Sequence, residues 1–145
     1  MTNSFCRRLL GLAAVVCLIC GCGSGSSSER HLVPVNGKVS FGGKPLTQGT
    51  VSFVADGTNG ANATGDIDAT GNYTLSTSRP GDGAAPGSYK VRVESWASPP
   101  RMDEKGTDPG KRAIPEKYFD IQQSNLSAVI KDEKKVQEID FALTP

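Results

Sequence analysis

The sequence predicts an all-β domain, a two-layer sandwich of about seven antiparallel strands, preceded by a removable leader. Three observations lead there. Beyond residue 31 the apolar residues recur with a period of two, the signature of strands with one buried face. Clusters of Gly, Pro, Asn and Asp interrupt these runs at intervals of roughly 8–12 residues. No window there longer than about ten residues combines a helical period with helix caps. Composition adds bounds. The chain has 145 residues, 37% of them hydrophobic, and 16 Lys and Arg against 15 Asp and Glu, a net charge of +1. That suits one globular domain and gives no electrostatic footprint for nucleic acid.

The elements follow in chain order. Residues 1–21 have the three parts of a secretory signal peptide: Arg7 and Arg8, an apolar run of 12 residues from Leu9 to Cys20, and small residues after it. A spanning helix needs about 20 apolar residues, so the run is a leader's core and not a lasting membrane helix. Arg7 and Arg8 read as ordinary leader charge, since Leu9-Leu10-Gly11 does not continue a twin-arginine pattern. Ile19-Cys20-Gly21-Cys22 resembles a bacterial lipobox, with an aliphatic residue three before the cysteine and a small one directly before it. That resemblance implies cleavage after Gly21 and a diacylglycerol on the Cys22 sulfur, with palmitate or similar chains as the membrane anchor. Cys20 fits worse, because the branched Ile19 would stand at the cleavage position. Residues 22–31, with Gly23-Ser24-Gly25-Ser26-Ser27-Ser28, read as a flexible tether. Removal of 1–21 takes Arg7, Arg8, Cys6, Cys17 and Cys20 with it, leaving 14 basic residues against 15 acidic ones, a balance of −1, and no thiol pair for a disulfide.

Residues 32–145 form the expected body. Val33, Val35, Val39 and Phe41 share a parity, and Pro34 lacks the N–H of a ladder donor, so the first strand begins after it or lies on an edge. Val51 with Phe53, Tyr73 with Leu75, Tyr89 with Val91 and Val93, and Ile139 with Phe141 and Leu143 continue the alternation. Leu126 to Ile130 is a further strand and Ala63 to Ile67 a weaker one. Gly42-Gly43-Lys44-Pro45, Asp56-Gly57, Ala69-Thr70-Gly71-Asn72, Pro80-Gly81-Asp82-Gly83 and Lys131-Asp132-Glu133-Lys134 supply the reversals. Ile114 to Asp120 suits one helical turn after Pro115. Trp96 to Arg112, rich in Pro, Gly and both charge signs, is expected to be an exposed loop of 17 residues.

Val35-Asn36-Gly37-Lys38-Val39 and Gly43-Lys44-Pro45-Leu46-Thr47 through Phe53 resemble the opening of a carboxypeptidase regulatory-like, or transthyretin-like, domain. Thr64 to Leu75 is similar to that family's T-D-x-x-G-x-Y-x-L segment, and Gly87-Ser88-Tyr89-Lys90-Val91-Arg92-Val93 to its G-x-Y-x-V-x-V strand. Ile114-Pro115-Glu116-Lys117-Tyr118 is similar to a segment of small bacterial lipoproteins with one such domain. The resemblance covers Val35 to Leu143, and it implies a Greek-key sandwich of the transthyretin or Ig-like kind, without catalytic residues, used as an accessory or surface module.

The residues that would carry chemistry have simpler roles. Asp66-Ile67-Asp68 lacks the later ligands of a calcium loop, with Thr70 and Thr77 where oxygen donors and a bidentate Glu are needed. His31, the only histidine, lies in the tether, which leaves a catalytic serine without a positioned base and zinc without a ligand set. Gly42-Gly43-Lys44 is followed by Pro45 where a phosphate loop needs Ser or Thr. Asp103-Glu104 falls in the exposed loop, where nothing shifts a carboxyl toward neutral pH. No cofactor and no metal are expected, and no enzyme. Trp96 and Arg101 are the candidate binding residues, although a lone Trp at a strand end more often closes a core. The expected function is that of a lipid-anchored, non-catalytic cell-envelope module with a structural or protein-binding role. Gly23 and Ser24 after the lipidated cysteine favour the outer membrane. The alternative is a carbohydrate- or polymer-binding surface lipoprotein using Trp96 and residues 96–112 on a glycan partner.

Overall fold

The computed structural model describes residues 31–57, 60–103 and 106–145. The expected leader and the expected lipidation site, Cys22, lie outside the described residues. In chain order the strands are β1 (Val35–Phe41), β2 (Lys44–Pro45), β3 (Gly49–Ala55), β4 (Ala63–Ile67), β5 (Asn72–Thr74), β6 (Gly87–Glu94), β7 (Trp96–Ser98), β8 (Arg101–Asp103), β9 (Gly106–Asp108), β10 (Lys111–Arg112), β11 (Leu126–Ile130), β12 (Gln137–Glu138) and β13 (Phe141–Leu143). One 3-10 turn, Glu116–Tyr118, follows Pro115 as the sequence expects.

Two layers make an all-β sandwich. The first sheet has the order β11-β6-β3-β4, antiparallel throughout. The second centres on β1, which takes β2 and β5 antiparallel on one side and β12 and β13 on the other. The chain alternates between layers, and bridges Val33 to Ala84 and Thr64 to Ser76 tie their margins. Two features differ from the expected arrangement. The pairing of β1 with β12 and β13 is parallel, Val35 with Gln137 and Val39 with Phe141. A parallel pair cannot be closed by a tight turn, and here the whole domain serves as the crossover. The turn at Gly71-Asn72 is not a hairpin within one sheet: β4 stays in the first layer while β5 crosses to β1. β1 begins directly after Pro34, as the sequence expects, and is central in its layer.

The period of two delivers one apolar face from each layer. Val35, Val39, Tyr73, Phe141 and Leu143 meet Val51, Phe53, Ile67, Tyr89, Val91, Val93 and Ile130, all buried. Full burial of each such side chain contributes about 1.5–3 kcal/mol. Phe53 sits at the centre, its ring 5.8 Å from Tyr89 in its own layer and 5.9 Å from Phe141 and 6.3 Å from Tyr73 in the other. The tyrosines bury their rings and keep a partner for each hydroxyl, Tyr89 on the Ala85 carbonyl at 2.8 Å and Tyr73 on that of Ile139 at 2.6 Å.

The Tyr73 bond marks a seam. Between β12 and β13 the ladder against β1 is interrupted, and the Ile139 carbonyl turns across Gly37 toward the phenol. A Cβ on residue 37 would lie 1.9 Å from that oxygen, so glycine is required for close approach. Asp140 repairs the gap, its carboxylate accepting the Lys38 N–H at 2.7 Å in place of a backbone carbonyl. Burial pushes the Tyr73 phenol far above its ordinary pKa, and the Asp140 charge adds to the shift, so the phenol stays protonated as a donor.

Turns are locked by side chains. Gly42 and Gly43, at φ 58° and 80°, make the two-residue reversal from β1 to β2 that favours left-handed residues. Asp68 accepts the Thr70 and Asn72 backbone N–H groups and the Thr70 hydroxyl on one oxygen. Asp82 accepts the N–H groups of Thr77, Ser78 and Arg79 at 2.6, 3.0 and 2.7 Å. Burial alone would raise the Asp82 pKa, but those three donors and the Arg79 charge outweigh it and hold the carboxyl below its ordinary value.

Two outcomes follow from these bonds. Tyr73→Phe leaves the Ile139 carbonyl without its partner, and urea titration should show a loss of about 1–3 kcal/mol. Asp82 has a depressed folded pKa, so its stabilising contribution is complete above the unfolded value of about 3.9 and disappears as pH falls through the lower folded one. In urea titrations across pH, the stability gap between the wild type and Asp82→Asn should therefore be widest near neutrality and close in acid.

Candidate functional site

The register fixes what lies at each end of the sandwich. At one end stand the start of β1, the Val33 bridge to Ala84, the start of β6 opposite Ile130, and the Lys131–Val136 turn. His31, where the described chain begins, is joined to this turn through Asp132 at 3.3 Å. Gln137 closes the turn by two side-chain hydrogen bonds to the Lys131 backbone. At the other end lie the end of β6 opposite Thr50, the end of β13 and Trp96. The eight residues of β6 separate the two ends by about 26 Å.

At that far end residues 96–112 are not the open loop that the sequence suggested. They form an arm of two consecutive two-stranded ribbons, β7 with β10 and β8 with β9. Gly110, at φ 75°, stands where a Cβ would come within 2.6 Å of the Ser98 carbonyl and the Pro100 nitrogen, so the two strands pass closely at the joint between ribbons. Pro99-Pro100 on one side and Pro109-Gly110 on the other mark that joint symmetrically, a hairpin signal that the overall Pro and Gly content obscured. Asp103 pairs with Gly106 in the outer ribbon, and Glu104 lies outside the described residues. Met102 on β8 is 85% exposed.

Trp96 anchors the base of this arm. Its ring meets Phe119 edge-on at 5.1 Å, and the Arg112 guanidinium lies over both rings, 5.6 Å from the indole and 5.3 Å from the phenyl centroid. Arg112 is held in turn by Glu116 at 2.9 Å, and Gln48 hydrogen-bonds the Trp96 carbonyl. Trp96 is half-buried and does not belong to the core; it packs over Phe119, which does touch the core. Arg112 occupies one face of the indole, a face that a sugar ring would otherwise use. Arg101, the other candidate, stands exposed on β8 opposite Asp108. Arg112 and Phe119 are the partners that sequence reasoning missed. Cross-strand placement opposite Trp96 identifies Arg112 once 96–112 is read as a ribbon.

Beside the arm a shallow cleft of about 540 Å³ is lined by Arg92, Lys117, Phe119, Asp120, Ile121 and Gln123. Several of its polar groups are engaged by one another or by neighbouring residues. Asp120 accepts the Gln122 N–H and the Gln123 amide, and Arg92 faces Glu94 at 3.4 Å. The Arg92 Nε is buried without a hydrogen-bond partner. Asp68, part of the sequence's weak calcium pattern, spends its accepting oxygen inside its own turn, and the Thr70 hydroxyl foremost among its donors holds its pKa low. Among the described residues no three His, Cys, Asp or Glu side chains come together. No helix among them is long and apolar enough to cross a membrane.

No protein-family model matches the chain, and no curated protein is significantly similar to it. Among solved structures it is similar to a 9R-lipoxygenase from Cyanothece PCC8801, with 15% identity, a TM-score of 0.42, and coverage of 79% of this chain but 16% of that one.

Trp96→Ala separates a packing role from a recognition role. A half-buried indole outside the core should cost about 1–2 kcal/mol on thermal or urea unfolding, well below the roughly 3–5 kcal/mol of a fully buried aromatic such as Phe53. Because Trp96 is the only tryptophan, Arg112→Ala should also shift its fluorescence to the red as water replaces the guanidinium.

Proposed function

We propose that this protein is a lipid-anchored, non-catalytic module of the bacterial cell envelope, of the carboxypeptidase regulatory-like kind, which holds the 96–112 arm away from the membrane for a protein partner. The observation that carries the reading is the opposition of the two ends. The chain leaves the tether beside the Lys131–Val136 turn, and the arm leaves from the opposite end of β6. A sandwich between them acts as a spacer about 26 Å long. The Ile19-Cys20-Gly21-Cys22 pattern supplies the attachment, and two or three acyl chains hold firmly where one binds only marginally. Gly23 and Ser24 favour the outer membrane as the site. His31 as the only histidine, exposed and joined to Asp132, supports a role without general-base chemistry. Glycan binding through Trp96 is the lesser reading, because Arg112 already covers one face of the indole.

The test is acyl labelling with membrane fractionation in a bacterial host. The wild type should incorporate labelled palmitate and sediment with membranes, and Cys22→Ser should do neither. Identical behaviour of the two forms overturns the anchor.

A further inference from the structure

We infer that the end of the sandwich carrying the Lys131–Val136 turn rests on the membrane itself, against anionic lipid headgroups, and so sets the orientation of the domain; this rests on the lipid-anchored reading proposed above. Three observations converge on that end. The first is reach. Cys22 and His31 are nine residues apart (31 − 22), at most about 30 Å when fully extended and about 17 Å on average for a Gly/Ser-rich chain. The end of the body beside His31 therefore stays near the bilayer, while the arm begins a strand length farther away.

The second is the placement of apolar surface. Among the described residues the exposed large hydrophobic side chains are Met102, Val129 at 64% and Val136 at 60% exposure. Met102 belongs to the arm. Val129 and Val136 stand at the two ends of the segment that contains the lysine turn, Val129 opposite Ser88 at the start of β6 and Val136 next to the Gln137 that pairs with Val35. The rest of the first layer's outer face carries Thr50, Ser52, Lys90 and Arg92 with one half-buried valine, Val54 opposite Lys90, so the fully exposed valine of this face, Val129, stands at this end.

The third is charge. Within the turn Lys131, Lys134 and Lys135 are all exposed, against Asp132 and Glu133, and Asp132 faces His31; the exposed Asp56, whose N–H bonds the carbonyl of the Ser88 opposite Val129, adds an acid nearby. The excess is therefore small and confined to the turn. It suffices for orientation because the acyl anchor provides the holding, and the turn has only to prefer one rotation of an already confined body. Lysine ammonium groups meet phosphate oxygens while the valines reach the interface, the division of labour of a peripheral membrane contact.

The experiment uses the full acylated chain on vesicles of phosphatidylcholine with phosphatidylglycerol and on phosphatidylcholine alone. Val136→Cys and Met102→Cys each accept a fluorophore, since acylation blocks Cys22, and nitroxide lipids report contact with the bilayer. On the anionic vesicles the probe at 136 should be quenched severalfold more than that at 102. Lys134→Glu with Lys135→Glu should abolish the excess without releasing the chain in a flotation gradient, and on neutral vesicles the excess should shrink likewise. Equal quenching at the two positions of a chain that floats, or an excess indifferent to lipid charge and to the double substitution, overturns the headgroup contact and leaves the anchor intact. A chain that does not float overturns the anchor and the orientation together.

Discussion

The architecture depends on the approach of the C-terminal strand to β1 at Gly37. Because residue 37 has no side chain, the Ile139 carbonyl can cross above it to the Tyr73 hydroxyl, and Asp140 can serve the Lys38 N–H that the ladder abandons. With that seam closed, β1 is flanked on both sides and the second layer becomes a sheet. Without it, β12 and β13 would have no partner and the Phe53 cluster would lose Phe141, one of its rings from the opposite layer. The direction of the pairing matters as much as its existence. A C-terminal strand parallel to β1 must start where β1 starts. That brings the Lys131–Val136 turn to the N-terminal end of the body and sends Thr144 to the far end, where it meets the Tyr118 hydroxyl.

Much of this was legible in the sequence, for reasons that can be named. Alternation is a property of single strands, and Val51 with Phe53 or Tyr89 with Val91 and Val93 revealed their buried face without reference to any neighbour. Turn residues are equally local, so Gly42-Gly43 and the 3-10 turn after Pro115 could be placed. What depends on two distant segments was not visible. The parallel register of residues 35–41 with 137–143 and the need for glycine at 37 arise only when the strands meet. The arm at 96–112 was hidden for a different reason. Its strands are only two or three residues long, so no apolar period can build up to announce them, and only the mirrored Pro99-Pro100 and Pro109-Gly110 marks betray a hairpin. Of the candidate site, Trp96 was identified correctly as the residue at a strand end, but its setting was not. The partners Arg112 and Phe119 lie 16 and 23 positions away (112 − 96, 119 − 96).

Stability among the described residues, which include no cysteine, also takes a recognisable form. Each buried tyrosine ring fills the core while its hydroxyl caps a carbonyl that the sheets leave over: Ala85, Ile139 and, at Tyr118, Thr144. Polar atoms of irregular connections are thus satisfied from inside, and the connections are fastened to the core by the same side chains. Asp68 and Asp82 do this from outside, each gathering several donors from one turn. The sandwich is therefore fastened at its turns as well as in its layers, which suits the spacer role proposed above.

The anchored arrangement proposed above has a particular consequence. If Cys22 carries the anchor proposed above, a Gly/Ser-rich composition such as that of residues 23–28 would confine the domain near the bilayer without fixing how it faces. Confinement has then already removed most of the translational freedom that a free protein loses on binding, and a contact too weak to recruit the domain from solution can still choose its orientation. A small excess of lysine and two exposed valines belong to that regime. The same logic explains why the arm need not be large or strongly apolar. Presented at the end opposite His31, on ribbons fixed at their base by Trp96, Phe119 and Arg112, it would in the proposed setting meet an envelope protein in a space where both are already concentrated. Met102, 85% exposed on the outer ribbon, would then supply apolar contact to such a partner.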